Sequence, residues 1–480
     1  MKCAGGAQGS RRNRSRFFAP HVPALGLLIG ALILATQAQD GTNQVLRLTP
    51  PMGWSSWAAG YDCVIAPIAQ KHVVELVELF KRERYDELGW TYICLDDAMF
   101  DRERDPNGNL QLDRARFPSG LPWLLNYLHT NRLHLGAYLV VGTASNCGSA
   151  GSLGHWFQDG KFLADVGFDF VKMSFDSGPL TWGQQGTVYD GYREVIRGIR
   201  SSTNQMFINA SVHEFLPWMP VELNSWHTVP EVGDANGFFG NFLRRLDFTT
   251  ETAWAVRPGY YMDADFIKFP YSRAEAKVEF GMNCLIQGQL LVGQFFGDMV
   301  EVITNRTAIA IHQDPMVIPA AVVTNDSSAT YQVWAKPYRV SDGSSWAFGF
   351  LNRSYSEPAR IRLRFGNLPL RGEVGTVQDV WAGTLVGVFT NEFAATIAPM
   401  SLGLYVVTAT GAQTLPALQI GVPKDGAVLL SWPANSTFLL QTSDDLGSTW
   451  HDVPGSETLS STNYPISSGA RFFRLRPRGP

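Results

Sequence analysis

Asp169-Phe-Val-Lys-Met-Ser-Phe-Asp176 is the stretch whose reading decides the fold. Phe170, Val171, Met173 and Phe175 supply the apolar, strand-favouring positions of a short buried β-strand. Side chains alternate along a strand, so Lys172, Ser174 and Asp176 are expected on one face. A lysine and a carboxylate together at the C-terminal end of a strand is the layout of the functional end of a (β/α)8 barrel.

Outward from this strand the pattern repeats. Residues 48–318 alternate short apolar runs with amphipathic stretches. Tyr92-Ile-Cys-Leu95 reads as a strand ending in Asp96-Asp97. Leu135 to Val141, Phe168 to Phe175 and Met206 to Asn209 read as further strands. Helical periodicity covers Ile68 to Leu88 and Leu121 to Asn131. Strand–helix alternation of this length predicts an α/β fold, a (β/α)8 TIM barrel, with its polar residues clustered just after the strands.

The texture changes after residue 318. Tyr331 to Ala335, Trp346 to Phe350, the alternation Ile361-Arg-Leu-Arg364 and Gly403 to Val407 are period-two segments separated by turn residues. They predict an antiparallel β domain over 319–410. Ala409 to Pro416 reads as a linker. Residues 417–478, with Val428 to Trp432, Phe438 to Gln441 and Phe472 to Leu475, read as a small C-terminal β module of sandwich type.

The 480-residue chain is 45% hydrophobic and 17% charged, enough apolar content to bury more than one core. Its net charge of −4, with no long basic run beyond the N-terminus, argues against a nucleic-acid partner. Residues 1–38 read as a signal peptide: Arg11, Arg12, Arg14 and Arg16, then an apolar run from Pro23 to Ala35, then Thr36-Gln-Ala38 as a small-residue cleavage site. The alternative is a membrane anchor, for which the run is short. The reading is therefore an exported protein, secreted or periplasmic, with no membrane attachment after cleavage. Of the cysteines at 3, 63, 94, 147 and 284, Cys3 leaves with the signal. Four widely spaced cysteines in a chain of this size are not expected to form a disulfide framework. No Cys/His spacing suggests zinc, and no cofactor is implied.

Several motifs now bear on function. Pro51-Met-Gly-Trp-Ser-Ser-Trp57, Tyr92 to Asp97, Arg116-Phe-Pro-Ser-Gly120, Leu135 to Tyr138, Gly151-Ser-Leu-Gly154, Asp169 to Lys172, Met262-Asp-Ala-Asp265 and His312-Gln-Asp-Pro315 follow one another in order. In these motifs the chain resembles glycoside hydrolase family 27, the α-galactosidase and α-N-acetylgalactosaminidase family, over about residues 48–410. The resemblance implies retaining hydrolysis by two carboxylates about 5 Å apart across the scissile bond. It implies a carbohydrate ligand, with Trp57 as the aromatic floor of the sugar site. Asp96 and Asp97 would hold the galactose 4- and 6-hydroxyls, and Tyr138, Lys172 and Asp265 would be polar sugar contacts. The chemistry suits these types: adjacent carboxylates accept from vicinal hydroxyls, and a Trp face covers the apolar side of a sugar ring. Asp96-Asp97 also fits plain helix capping after a strand.

The chain departs from the resemblance in three places. The family nucleophile column holds Ser174, whose hydroxyl is a poor nucleophile without a base. Asp176 is the nearest carboxylate, about 6–7 Å further on by strand rise, unless a bulge returns it toward the sugar; it also fits a loop cap. The acid/base motif matches Trp226-His-Thr-Val-Pro-Glu-Val232, with Glu231 in the Asp column, His227 in the Arg column and Asp234 nearby. The cysteine partners that the resemblance implies for Cys63 and Cys147 are replaced by Ala98 and Asp176. The strand-5 loop Ser211 to Pro217 adds His213 and Glu214 as candidates for a displaced catalytic or recognition group, or as surface residues.

The sequence thus predicts a glycoside hydrolase acting on α-linked galactose-type sugars, with Asp176 and Glu231 catalytic. Trp57, Asp96, Asp97, Tyr138, Lys172, Glu214, His227 and Asp265 are the expected substrate contacts. The competing reading is a sugar-binding protein that kept the pocket and lost the nucleophile.

Overall fold

The computed structural model describes residues 48–477, apart from 62, 64–65, 184–185, 229–236, 266, 268–271, 326–329, 340–343, 369–373, 410–417, 421–426, 433–437, 444–450, 457–458 and 466–471. The predicted signal peptide lies outside the described residues.

Eight parallel strands form the first sheet: β1 (Met52–Ser55), β2 (Trp90–Leu95), β3 (His134–Val140), β4 (Phe170–Ser174), β5 (Phe207–Val212), β6 (Ser225–Thr228), β7 (Tyr261–Asp263) and β8 (Leu290–Val292). They are hydrogen-bonded in the order β7-β6-β5-β4-β3-β2-β1-β8. Ile267, just past β7, closes the ring: its amide bonds Leu291 O at 2.9 Å and its carbonyl receives the Gly293 amide at 3.0 Å. The result is the (β/α)8 barrel that the alternation predicts.

The helices around it are α1 (Gln70–Arg82), α2 (Gly120–Thr130), α3 (Trp156–Val166), α4 (Thr187–Arg200), α5 (Met219–Glu222), α6 (Gly237–Thr252), α7 (Arg273–Ile286), α8 (Met299–Ile303) and α9 (Arg306–His312). α4 shows why they form: Val188, Tyr192, Val195 and Ile199 recur at helical spacing and are buried, with arginines between them. α3 and α4 pack backbone to backbone. A Cβ on Gly160 would lie 2.1 Å from Val195 O, and one on Gly198 would lie 2.2 Å from Phe157 O, so both sites require glycine. The helix expected from Ile68 to Leu88 stops at Arg82, because Arg84 turns left-handed (φ 59°) and Gly89 follows at φ 97°.

The antiparallel domain has β9 (Ala321–Asn325), β10 (Tyr331–Pro337), β11 (Ser345–Asn352), β12 (Ala359–Arg364), β13 (Val374–Asp379), β14 (Thr384–Thr390), β15 (Glu392–Ile397) and β16 (Ser401–Ala409). A six-stranded sheet, β14-β13-β16-β11-β10-β9, faces the pair β12-β15 across Trp346, Phe348, Phe350, Leu363 and Phe393. α7 is buried on nearly every side because it lies between the barrel and this sheet, with Leu402 and Trp381 against Gly281. The C-terminal module has β17 (Gln419–Ile420), β18 (Ala427–Ser431), β19 (Phe438–Ser443), β20 (His451–Asp452), β21 (Ser461–Pro465) and β22 (Phe472–Pro477). Its two three-stranded sheets, β17-β18-β21 and β20-β19-β22, share a core of Leu430, Trp432, Leu440, Val453, Phe473 and Leu475.

Candidate active site

Strand register assembles the pocket. β3 and β4 pair with Tyr138 beside Lys172 and Val140 beside Ser174. Toward the start of their strands, Tyr92 meets Phe170 edge-on, and Phe170, Phe207 and Tyr261 stack from strand to strand as an apolar layer inside the barrel. Lys172 is buried, with Nζ 5.8 Å from the centre of the Tyr138 ring.

Asp96 and Asp97 follow β2 and are both buried. The Asp96 amide donates to Ser56 Oγ at 2.8 Å, and Asp96 Oδ1 accepts the Asp97 amide at 2.9 Å. Burial pushes the Asp96 carboxyl above its ordinary value, and the Lys172 ammonium opposes that shift. Asp97 Oδ1 accepts the amide of Ala98, and its Oδ2 accepts the Cys147 amide at 2.9 Å. Trp57 lies in the turn after β1, half-buried against the barrel core.

β4 ends at Ser174, so strand rise does not govern Asp176, and the expectation that it continues the strand face is corrected. Two residues into the loop, the Tyr138 hydroxyl lies 3.0 and 3.1 Å from its two oxygens, and the Asn146 amide donates to Oδ2 at 3.1 Å. Ser174 ends β4, paired with Val140 of β3, two residues beyond Tyr138. Burial raises the Asp176 carboxyl, Asn146 and Tyr138 oppose the shift, and Asp97 and Asp96 add to it. Burial and the neighbouring Asp176 push the Tyr138 phenol well above its ordinary value, so it stays a donor.

A second cluster closes the far side. His227 on β6 is 1% exposed, with Nδ1 3.4 Å from Ser211 Oγ and Nε2 3.5 Å from Asp265 Oδ2. Asp265 takes a left-handed conformation (φ 75°), its amide donating to Asp263 Oδ1 at 3.0 Å. Arg245 of α6 donates to Asp265 Oδ2 at 3.0 Å, and its other terminal nitrogen lies 3.6 Å from Glu279. Burial alone would raise the Asp265 carboxyl; His227, Arg245 and Lys172 outweigh it and hold the group well below its ordinary value. Ser211 was expected in a loop, but β5 runs through Val212 and makes it a strand residue facing His227.

Glu214 has other neighbours. Its amide and that of His213 donate to the Tyr189 hydroxyl at 3.3 and 3.1 Å, and the His213 ring stacks on Trp182 at 4.1 Å. Glu231 and Asp234 lie outside the described residues. The cysteine expectation is also corrected: Cys63 and Cys147 form a disulfide with each other, 84 residues apart in sequence, with Cα atoms 5.1 Å apart. Each therefore replaces the partner that the other lacks.

A family model described as alpha galactosidase A matches residues 49–232, and one described as the alpha galactosidase C-terminal beta sandwich domain matches residues 328–407. The chain belongs to glycoside hydrolase family 27. Among its family 27 relatives, the alpha-galactosidase of Oryza sativa subsp. japonica is 28% identical over 378 residues, covering 76% of this chain and 85% of the relative. The alpha-galactosidase of Cyamopsis tetragonoloba is 28% identical over 386 residues, covering 77% and 88%. The crystal structure of alpha-galactosidase I from Mortierella vinacea superposes with a TM-score of 0.68 at 20% identity, covering 77% of this chain and 99% of that one. This last match bears on the fold.

Within this family 27 barrel, sequence reasoning missed Arg245, Asn146, Ser56 and Asp263. Two carry no chemical motif: a helix arginine and a loop amide become part of the site only through tertiary approach, while Ser56 stood in Pro51-Met-Gly-Trp-Ser-Ser-Trp57, where Trp57 drew the assignment. Asp263 stood in Met262-Asp-Ala-Asp265, where its neighbour drew the assignment.

Proposed function

We propose that this protein is an exported glycosidase that cleaves α-linked galactose-type sugars at a rebuilt site, with Asp176 as nucleophile and Glu231 as acid/base. The observation that carries the reading is the Tyr138 hydroxyl, which lies 3.0 and 3.1 Å from the two carboxylate oxygens of Asp176, on the strand that pairs with Ser174. It supports a carboxylate beside the column that the family motif assigns to the nucleophile.

In the first step an Asp176 oxygen attacks the anomeric carbon, the glycosidic C–O bond breaks, and Glu231 gives its proton to the leaving oxygen. Glu231 then takes a proton from water, the water oxygen attacks the same carbon, and Asp176 leaves as a carboxylate. Two displacements retain configuration. Burial makes the Asp176 carboxylate more basic than one in water, while Tyr138 and Asn146 keep it oriented. Asp96 and Asp97 provide acceptors for sugar hydroxyls, and Lys172 balances the charge of Asp96 and Asp265.

A second reading, sugar binding without turnover, is supported by the same hydrogen bonds: Tyr138 and Asn146 already occupy Asp176 acceptor positions. Turnover of an activated aryl α-galactoside separates the two. Absence of turnover, together with galactose binding abolished by Asp96→Ala, would establish the binding protein. Export rests on residues 1–38; among the described residues no helix is long and apolar enough to cross a membrane.

A further inference from the structure

We propose that the Cys63–Cys147 disulfide is a reducible staple that holds one turn against both pocket carboxylates, Asp97 and Asp176, and so sets their positions for sugar binding. The proposal rests on the reading of this pocket as the sugar site.

Residues 145–149 form a tight turn between Ala144 and Ala150, which pair as an antiparallel bridge. The Ser145 amide donates to Ser149 O at 3.0 Å, and the Gly148 amide donates to Ser145 O at 2.9 Å. Gly148 has φ 78°, a conformation that glycine adopts without strain. Such a turn uses the carbonyl of its first residue and the amide of its fourth. The two amides between them, Asn146 and Cys147, are left to point outward. Consecutive outward amides make a small anion-binding concavity. Here they take one carboxylate each: Asn146 donates to Asp176 Oδ2 at 3.1 Å, and Cys147 to Asp97 Oδ2 at 2.9 Å.

The base and the tip of this turn are held differently. At the base, the Ala150 amide donates to Asp101 O at 2.9 Å, Ser149 Oγ donates to Phe100 O at 2.9 Å, and Ser177 Oγ donates to Ala144 O at 2.6 Å. The tip carries the disulfide to Cys63, in the segment after β1. Both cysteines are half-buried, within reach of a small thiol. Reduction by a dithiol proceeds by thiolate attack on one sulfur and release of the other as a thiolate. The reagent's second thiolate then closes its own disulfide and frees the remaining cysteine. Two electrons pass to the protein, and the tip loses its covalent anchor while the base stays bonded.

The test compares full-length oxidised protein, the same protein treated with dithiothreitol, and the Cys63→Ala/Cys147→Ala double variant. Hydrogen exchange is followed by mass spectrometry over residues 143–151, and galactose affinity by calorimetry. The expected result is exchange at Asn146 and Cys147 at least about tenfold faster in the reduced and variant proteins, with residues 134–140 unchanged. Galactose affinity is expected to fall about tenfold in parallel, through weakened bonds to charged acceptors, and reoxidation of the wild type restores both values. Unchanged exchange in the turn after the bridge is broken overturns the proposal, as does faster exchange with unchanged affinity. Should oxidised wild type bind no galactose, the sugar-site reading and the proposed control of sugar binding fail together, while the exchange data still decide whether the bridge holds the turn. Should the double variant fail to fold, reduced wild type with an unchanged far-ultraviolet spectrum provides the same comparison.

Discussion

The Tyr138 hydroxyl lies 3.0 and 3.1 Å from the two carboxylate oxygens of Asp176, although 38 residues separate them. Tyr138 comes from β3 and Asp176 from the loop after β4, so the contact spans two neighbouring strand ends of the barrel. It turns a loop aspartate into a pocket residue.

Asp176→Ala is expected to lower turnover of an aryl α-galactoside by about a thousandfold or more, because the proposed covalent step runs through this carboxylate. Ser174→Ala should change it by less than about threefold, since an unactivated hydroxyl takes no part. Ser174→Asp in the Asp176→Ala background should recover activity. A wild type insensitive to Asp176→Ala and disabled by Ser174→Ala would reverse the assignment.

The pH profile tests the same carboxylate. Burial raises Asp176 above its ordinary 3.8, so the acid limb of kcat/KM is expected above that value. Tyr138 donates to the ionised form and opposes the shift. Tyr138→Phe should therefore move the limb further upward, and an unmoved limb would show that Asp176 does not control it.

Arg245 balances buried charge on Asp265 and Glu279. Arg245→Met is expected to destabilise the fold by about 3–5 kcal/mol, because two carboxylates lose a cation they share. The depressed Asp265 carboxyl contributes stability that is present above its unfolded value and lost as pH falls through its lower folded value. In acid titrations followed by circular dichroism, the variant should unfold at higher pH than the wild type.

Lys336 on β10 is fully buried, 3.6 Å from Asp314, and burial lowers it to about 7. Between about 7 and its ordinary 10.5 the unfolded chain holds a proton that the folded chain has released, so stability from this group rises with pH across that window. Lys336→Met should flatten the rise of Tm from pH 7 to 10 relative to the wild type. Parallel profiles would show that Lys336 stays charged.

N-terminal sequencing of exported protein is expected to begin at Gln39. An intact Met1 on membrane-bound material would support an anchor instead.

The sequence by itself determined the barrel, the antiparallel domain and the small terminal module. Their signal is local: a period of two or 3.6 residues written into each segment. It also placed Asp96 and Asp97 just past a strand and Tyr138 and Lys172 toward the C-terminal part of theirs, since the parallel strands of a barrel bring their C-terminal ends to one face. Tertiary structure decided the rest. Cys63 and Cys147 read as two cysteines without partners, and only the approach of two loops pairs them. Arg245 reads as an ordinary helix arginine until α6 packs against β6 and brings it to Asp265. Asp176 reads as a catalytic candidate set about 6–7 Å too far along by strand rise, within reach only if the backbone leaves the strand. The loop after Ser174 does leave it, and a tyrosine from the neighbouring strand β3 holds the carboxylate at the pocket. Periodicity travels a few residues along the chain, whereas these contacts join residues 20 to 84 apart.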